Sequence, residues 1–390
     1  MKTPNTTLPL RVAAGLALGC LASGARAQVD TARVSAIDAR SITDYLTRVR
    51  QATGVPGISA AVAWHGNVVF SGGAGYADLD NLVAQTGSTV HNIGSVSKTQ
   101  AVVAVMQLFE QGKIRLDTLV QAYVPFFPIK PWPITVRQIL THTSGIRHYA
   151  DGDFGADGFQ EARHYDSYEE STRFWRDDSL RFRPGTYWSY SSYATGLMQG
   201  IVEKVSGMKF EDYLTRYVWE PAGMLGAGLD LPSRIFHNRG RGYERDPRGR
   251  LVNARYADVS YKYASGGVVA SVEDLVRFGA ALNHGLLLRR ATLDSMYRIQ
   301  VKGLQAYGRG KPQPMPFEQA LVWYIQTDGR DRRFIGHGGS VKGTRTMLLN
   351  YPELDLVVAL TANGEPFDAQ SSAQAVAQLV LSTMNLGERH

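Results

Sequence analysis

The stretch Asn92-Ile93-Gly94-Ser95-Val96-Ser97-Lys98-Thr99 decides how the rest of the chain is read. After it, Val102, Val105, Met106 and Phe109 recur at helical spacing, and Ala101, Val103 and Ala104 make the other faces apolar. That pattern predicts a helix buried all round, with Gly112 as its stop. Ser95 then falls at or just before the first turn, and Lys98 lies one turn on. Residues three apart share a helix face, so the lysine reaches the hydroxyl. The unpaired N–H groups of the first turn favour an oxyanion near Ser95, and burial beside them lowers the lysine pKa. A lysine that has lost its proton can activate a serine nucleophile. Ser-x-x-Lys is also what an N-cap serine and a helix-forming lysine produce, so the case must be made by the rest of the chain.

The 390 residues are 44% hydrophobic and 20% charged, which fits a globular protein with a sizeable core. The N-terminus differs. Lys2 and Arg11 precede an apolar run, Val12 to Ala22, followed by Ala25-Arg26-Ala27. This predicts a signal peptide over residues 1–27, cleaved near Ala27, and an exported protein, periplasmic or secreted. The run is too short to span a bilayer, and no transmembrane anchor is expected. Cys20, the only cysteine, lies inside this leader. A lipoprotein signal at Cys20 is the lesser alternative, because Ala17 is a poor residue three before it. A mature chain without cysteine relies on its core rather than on disulfides.

Of the net charge of +7, three units sit at Lys2, Arg11 and Arg26, leaving +4 beyond the leader. The arginines at 239, 241, 245, 248 and 250 are interleaved with Glu244 and Asp246, which reads as a solvated hairpin and not a nucleic-acid surface. No His-x-x-x-His pair or carboxylate cluster has metal-ligand spacing, so neither metal nor cofactor is expected. The absence of Gly-x-Ser-x-Gly argues against an α/β-hydrolase elbow.

Along the chain, residues 41–53 read as an amphipathic helix, and 58–64 and 68–71 as a hairpin. Gly72-Gly73-Ala74-Gly75 reads as a strand end. Helices are expected at 135–140, near 168–175, at 193–205, at 210–219 and from Ser271. Residues 147–182 are aromatic and charged and suit a wall or lid. His142 and Ser144 lie two apart at a helix end, do not face each other, and read as structural. Strands are expected at 321–326, 333–336, 344–350 and 356–361, joined by tight turns and hence antiparallel, then a helix at 373–384. The fold class is α+β: an antiparallel β-sheet flanked by N- and C-terminal helices on one face, with a mainly helical subdomain of roughly 95–225 inserted between sheet segments. Residues 28–390 are expected to form one domain without linker or repeat.

Three ordered stretches resemble the serine β-lactamase and penicillin-binding-protein superfamily, in its class C-like, mitochondrial β-lactamase-like branch. Ser95-Val96-Ser97-Lys98 resembles the family's Ser-x-x-Lys, Tyr190-Ser191-Ser192 its Tyr-x-Asn before a helix, and His337-Gly338-Gly339 its Lys/His-Thr/Ser-Gly strand. Leu140-Thr141-His142-Thr143-Ser144-Gly145 and Ser265-Gly266-Gly267 are weaker echoes. The resemblance implies a β-lactamase/transpeptidase-like fold and an acyl-enzyme serine hydrolase acting on an amide, ester or β-lactam carbonyl. It assigns Ser95, Lys98 and Tyr190 to catalysis. Ser192, His337, Gly339 and Ser340 become the substrate and oxyanion set, with the N–H groups of Ser95 and Ser340 as the oxyanion donors. The implied partner is a small-molecule or peptide substrate, cell-wall-derived peptides included. Two departures stand out: Ser192 replaces a common asparagine, and Gly338 replaces a common threonine or serine. Both weigh against β-lactamase activity more than against hydrolysis. They keep open the alternative of a slow-deacylating penicillin-binding or sensor protein.

Overall fold

The computed structural model describes residues 38–150, 153, 163–308 and 311–383. The leader read over residues 1–27, its cleavage site and Cys20 lie outside the described residues. Helix α1 (Ala39–Thr53) is capped by the Asp38 carboxylate at one end and by left-handed Gly54 at the other. Strands β1 (Gly57–Trp64) and β2 (Asn67–Asp78) form a hairpin, with the short β3 (Val83–Ala84) beside β2. Five strands come from the last third of the chain: β4 (Glu318–Gln319), β5 (Tyr324–Thr327), β6 (Arg333–Val341), β7 (Thr344–Tyr351) and β8 (Leu356–Ala362). Among the described residues these make one eight-stranded antiparallel sheet in the order β4-β5-β6-β7-β8-β1-β2-β3. The first and last of these strands in chain order meet inside the sheet, where β1 pairs with β8 from Ile58–Ala362 to Trp64–Leu356.

Alternation along the central strands divides the core. Ile58, Ala60, Val62, Val358 and Leu360 face α1 and the last helix, α6 (Ala369–Thr383), whose Ala373, Val376 and Val380 pack beside Ile42 and Leu46 of α1. Ala61, Ala63, Leu348, Val357 and Ala359 face the helices from the middle of the chain. Those include α2 (Ser97–Glu110), α3 (Val136–Leu140), α4 (Ser192–Ser206) and α5 (Val272–Asn283). Helix α2 is buried at eleven of its fourteen residues, as its all-round apolar pattern requires. The expected α+β architecture is therefore the one observed.

Two local readings are corrected. Gly72-Gly73-Ala74-Gly75 is not a strand end but the middle of β2. A Cβ on Gly73 would meet the Gln85 carbonyl oxygen at 2.4 Å, and one on Gly75 the Pro56 carbonyl oxygen at 2.1 Å. The glycines let neighbouring backbone close on the strand. The strand expected at 321–326 begins only at Tyr324. Leu321 and Val322 instead give their N–H groups to the carbonyls of Met296 and Leu140, and Val322 adopts φ +69°. The run is apolar because it plugs two helix ends, a role that periodicity does not distinguish from a strand.

Candidate active site

Ser95 sits in a tight turn, Gly94–Val96, just before α2. The Asn92 side-chain oxygen accepts from Gly94 N–H at 2.8 Å, and Gly94 takes φ +53°. Ser97 Oγ donates to the Gly94 carbonyl at 2.7 Å and accepts from Val268 N–H at 3.0 Å. The turn is thereby fixed to the short strand Val268–Ala270, and Ser95 is left half-buried at the floor of a cleft.

Lys98 is fully buried. Its Nζ lies 2.9 Å from Ser95 Oγ, 3.1 Å from Ser192 Oγ and 2.5 Å from the Ser265 carbonyl oxygen. No carboxylate is among these partners. Loss of hydration, with the nearby Lys262 charge adding to it, holds the Lys98 pKa well below that of a free lysine. A neutral amine suits the geometry: two N–H groups donate to Ser265 O and Ser192 Oγ, and the lone pair accepts the Ser95 hydroxyl proton.

Tyr190 precedes α4, whose N-cap is Ser191. Its phenol donates to Ser95 Oγ at 2.7 Å. Burial pushes its pKa up to about 12, so the resting phenol keeps its proton. Ser192 Oγ hydrogen-bonds both this phenol and Lys98 Nζ, linking the two.

His337 lies on β6, almost wholly buried, stacked on Tyr324 at 4.8 Å and 6.3 Å from the Tyr190 ring. Its Nδ1 is 2.6 Å from the Gly338 carbonyl, which can only accept, so the proton sits on Nδ1 and Nε2 carries the lone pair. Burial, then the Lys98 charge, lowers its pKa to about 3. β5 pairs with β6 only over residues 333–336, so residues 337–341 of β6 lie alongside the Ser95 turn instead. A Cβ on Gly94 would come 2.6 Å from Ser340 N, and one on Gly339 would come 3.2 Å from Ser95 N. The Ser95 and Ser340 amides are neighbours because both glycines lack side chains.

The cleft holds about 590 Å³ and is lined by all seven sequence-derived site residues except the buried Lys98. A larger recess of about 780 Å³, with Leu304, Met315, Phe317 and Arg333 in its walls, contains none of them, and its chemistry gives it no claim on the reaction. Sequence reasoning missed His148, from the stretch read as a wall. It lines the cleft and accepts from Ser192 N–H at Nδ1, 3.1 Å away. It also missed Lys262 and the Ser265 carbonyl, since a backbone acceptor leaves no mark in residue types.

The Beta-lactamase family model matches residues 42–381. Human serine beta-lactamase-like protein LACTB, mitochondrial, is 29% identical over 393 residues, spanning 80% of this chain and 72% of that protein. The D-aminopeptidase of Brucella canis is 26% identical, over 79% of this chain and 56% of the relative. Among solved structures, the octameric penicillin-binding protein homologue from Pyrococcus abyssi superposes with a TM-score of 0.75 at 26% identity, covering 88% of this chain and 78% of that one. With a family match over most of its length and a Ser-Lys-Tyr cluster at the floor of its cleft, the chain belongs to the β-lactamase family and is a serine hydrolase.

Proposed function

We propose that the chain is an exported acyl-enzyme hydrolase of small amides and esters, with Ser95 as nucleophile. The observation that carries this is the position of Ser95 Oγ, 2.9 Å from a buried Lys98 amine and 2.7 Å from the Tyr190 hydroxyl. Lys98 takes the Ser95 proton as Oγ attacks the carbonyl carbon. The N–H groups of Ser95 and Ser340 receive the developing oxyanion. Tyr190 gives its proton to the leaving nitrogen or oxygen as the carbonyl–leaving-group bond breaks. The proton held by Lys98 returns to Tyr190 through the Ser192 hydroxyl, which touches both. Water then attacks the acyl-Ser95 carbonyl and gives a proton to Lys98; the bond from the acyl carbon to Ser95 Oγ breaks, that proton passes to Oγ, and the acid leaves.

Amides and esters are favoured over carboxylate-bearing lactams by the groups that the Gly338 strand and Arg345 leave for a carboxylate. Gly338 supplies no hydroxyl, and Arg345 is engaged by Glu365 at 2.7 Å and by the Ser340 hydroxyl. Purified mature protein should hydrolyse a short-chain aryl ester or an amino-acid amide faster than a chromogenic cephalosporin, and a fluorophosphonate probe should label Ser95. Labelling and turnover that persist in Ser95→Ala would end this reading. The export half rests on the leader-like residues 1–27. N-terminal sequencing of protein from the periplasm or medium should find a start near Gln28, and an intact Met1 would count against it.

A further inference from the structure

Tyr190 is gripped from behind by one residue that never meets the cleft. His142 is fully buried and forms no part of the cleft wall. Its backbone carbonyl accepts from Ser189 N–H at 2.8 Å, and its Nδ1 accepts from Ser191 N–H at 3.1 Å. Both neighbours of Tyr190 are thus tied to the same residue. The imidazole also lies against the Tyr190 ring, centroids 4.6 Å apart. On the other side His148 sits edge-on to that ring at 5.1 Å and takes the next amide, Ser192 N–H.

The grip has a conformational cost. His142 adopts φ +57°, a region that non-glycine residues seldom enter and that asparagine tolerates best. Such conformations persist where surrounding structure over-determines them. Here Thr141 N–H is bound to the Arg137 carbonyl and Thr143 N–H to the Gln138 carbonyl, so α3 fixes both sides of the residue. An ordinary helix end needs no imidazole at this point.

We propose that His142 is a positioning residue for the proton donor: it sets the backbone and ring of Tyr190 so that the phenol O–H meets Ser95 Oγ. The inference rests on the reading of Tyr190 as that donor. It accounts together for the two backbone ties, the ring contact and the left-handed backbone. It also requires Nδ1 to remain an acceptor, which fixes the neutral Nε2–H tautomer.

Three variants, each alone and in a Tyr190→Phe background, test it. His142→Ala removes acceptor and ring, His142→Asn keeps an acceptor near the Nδ1 position and suits positive φ, and His142→Gln moves the acceptor outward. In the otherwise native enzyme His142→Ala should lower kcat about 10- to 100-fold, as a misplaced reacting group does, with KM nearly unchanged. The alkaline limb of the kcat–pH profile should shift, and His142→Asn should restore most of the rate. In the Tyr190→Phe background His142→Ala should have little further effect. A folded His142→Ala enzyme with native kcat and pH profile overturns the inference, as does an equal loss in both backgrounds. If His142→Ala does not fold, Asn against Gln decides: equal rates overturn it and a faster Asn enzyme supports it. Full activity in Tyr190→Phe alone defeats the underlying reading, whereas an inactive Tyr190→Phe beside an unaffected His142→Ala defeats only this one.

Discussion

Gly339 of β6 lies so close to Ile93 that a Cβ on it would fall 1.9 Å from the Ile93 carbonyl oxygen. The two backbones meet where the candidate oxyanion donors, Ser95 N and Ser340 N, are neighbours. Gly339→Ala must push β6 away from the Ser95 turn, because the obstacle is backbone and cannot rotate aside. Loss of one such donor costs about 100- to 1,000-fold in kcat. Steady-state kinetics of Gly339→Ala should show a fall of that order, and thermal denaturation should show a Tm below that of the native chain.

Lys98 ties activity to stability through pH. Its pKa in the fold is well below 10.5, first through burial and then through Lys262. Between those two values the unfolded chain binds the proton that the fold refuses, so stability rises with pH across that window. Lys98→Met cannot titrate. The stability difference between native and Lys98→Met proteins should therefore grow in the native protein's favour as pH rises toward 10.5, by up to about 1.4 kcal/mol per pH unit. Urea titrations at several pH values measure it, and parallel curves would refute it. The same variant should lose at least about a thousandfold in kcat/KM.

His91 provides an acid-side check away from the cleft. Burial, then the Arg239 charge, lowers its pKa from 6.5 to about 4. A depressed histidine contributes stability above pH 6.5 that is lost as pH falls toward 4, because the unfolded chain protonates first. His91→Gln should reduce the acid slope of unfolding free energy by about one proton, or about 1.4 kcal/mol per pH unit, between those values. Ester turnover at neutral pH should be unchanged.

Gly338 is open where Gly339 is closed. A Cβ on Gly338 would have Met347 Sδ at 3.6 Å and nothing nearer, an ordinary contact. Gly338→Thr should therefore fold normally and place a hydroxyl in the cleft. One added hydrogen bond to a charged group is worth about 1.5–3 kcal/mol, or roughly tenfold and upward in binding. Acylation by a carboxylate-bearing cephalosporin should quicken by about that factor, read as intact-mass adduct against time, while aryl-ester turnover is retained.

Much of the fold was legible because its signals are local. The all-round apolar run after Ser95 could only be a buried helix, and the short turns of the last third required antiparallel neighbours. The misreadings came where a run serves a distant partner. Leu321 and Val322 are apolar to close two helix ends, and the β2 glycines are there for the backbone of Pro56 and Gln85. His142 looked like a helix terminus and is one, yet its ring also backs Tyr190, forty-eight positions away in the chain.

By itself the sequence determined which groups could react: a serine one helical turn from a lysine, a tyrosine before a second helix, and a histidine–glycine strand. Spacing, periodicity and turn chemistry are properties of neighbouring residues, so they can be read along the chain. Only the tertiary structure decided what state those groups are in. Lys98 gives up its proton more readily than a free lysine because three separated segments bury it and supply only hydroxyls and a carbonyl. Tyr190 reaches Ser95 only because segments remote in sequence come together: its phenol donates to Ser95 Oγ while the neighbouring Ser191 N–H is held by His142 Nδ1. Proton affinity and orientation depend on dielectric surroundings and on distances of a few ångströms between remote segments, and folding alone sets both.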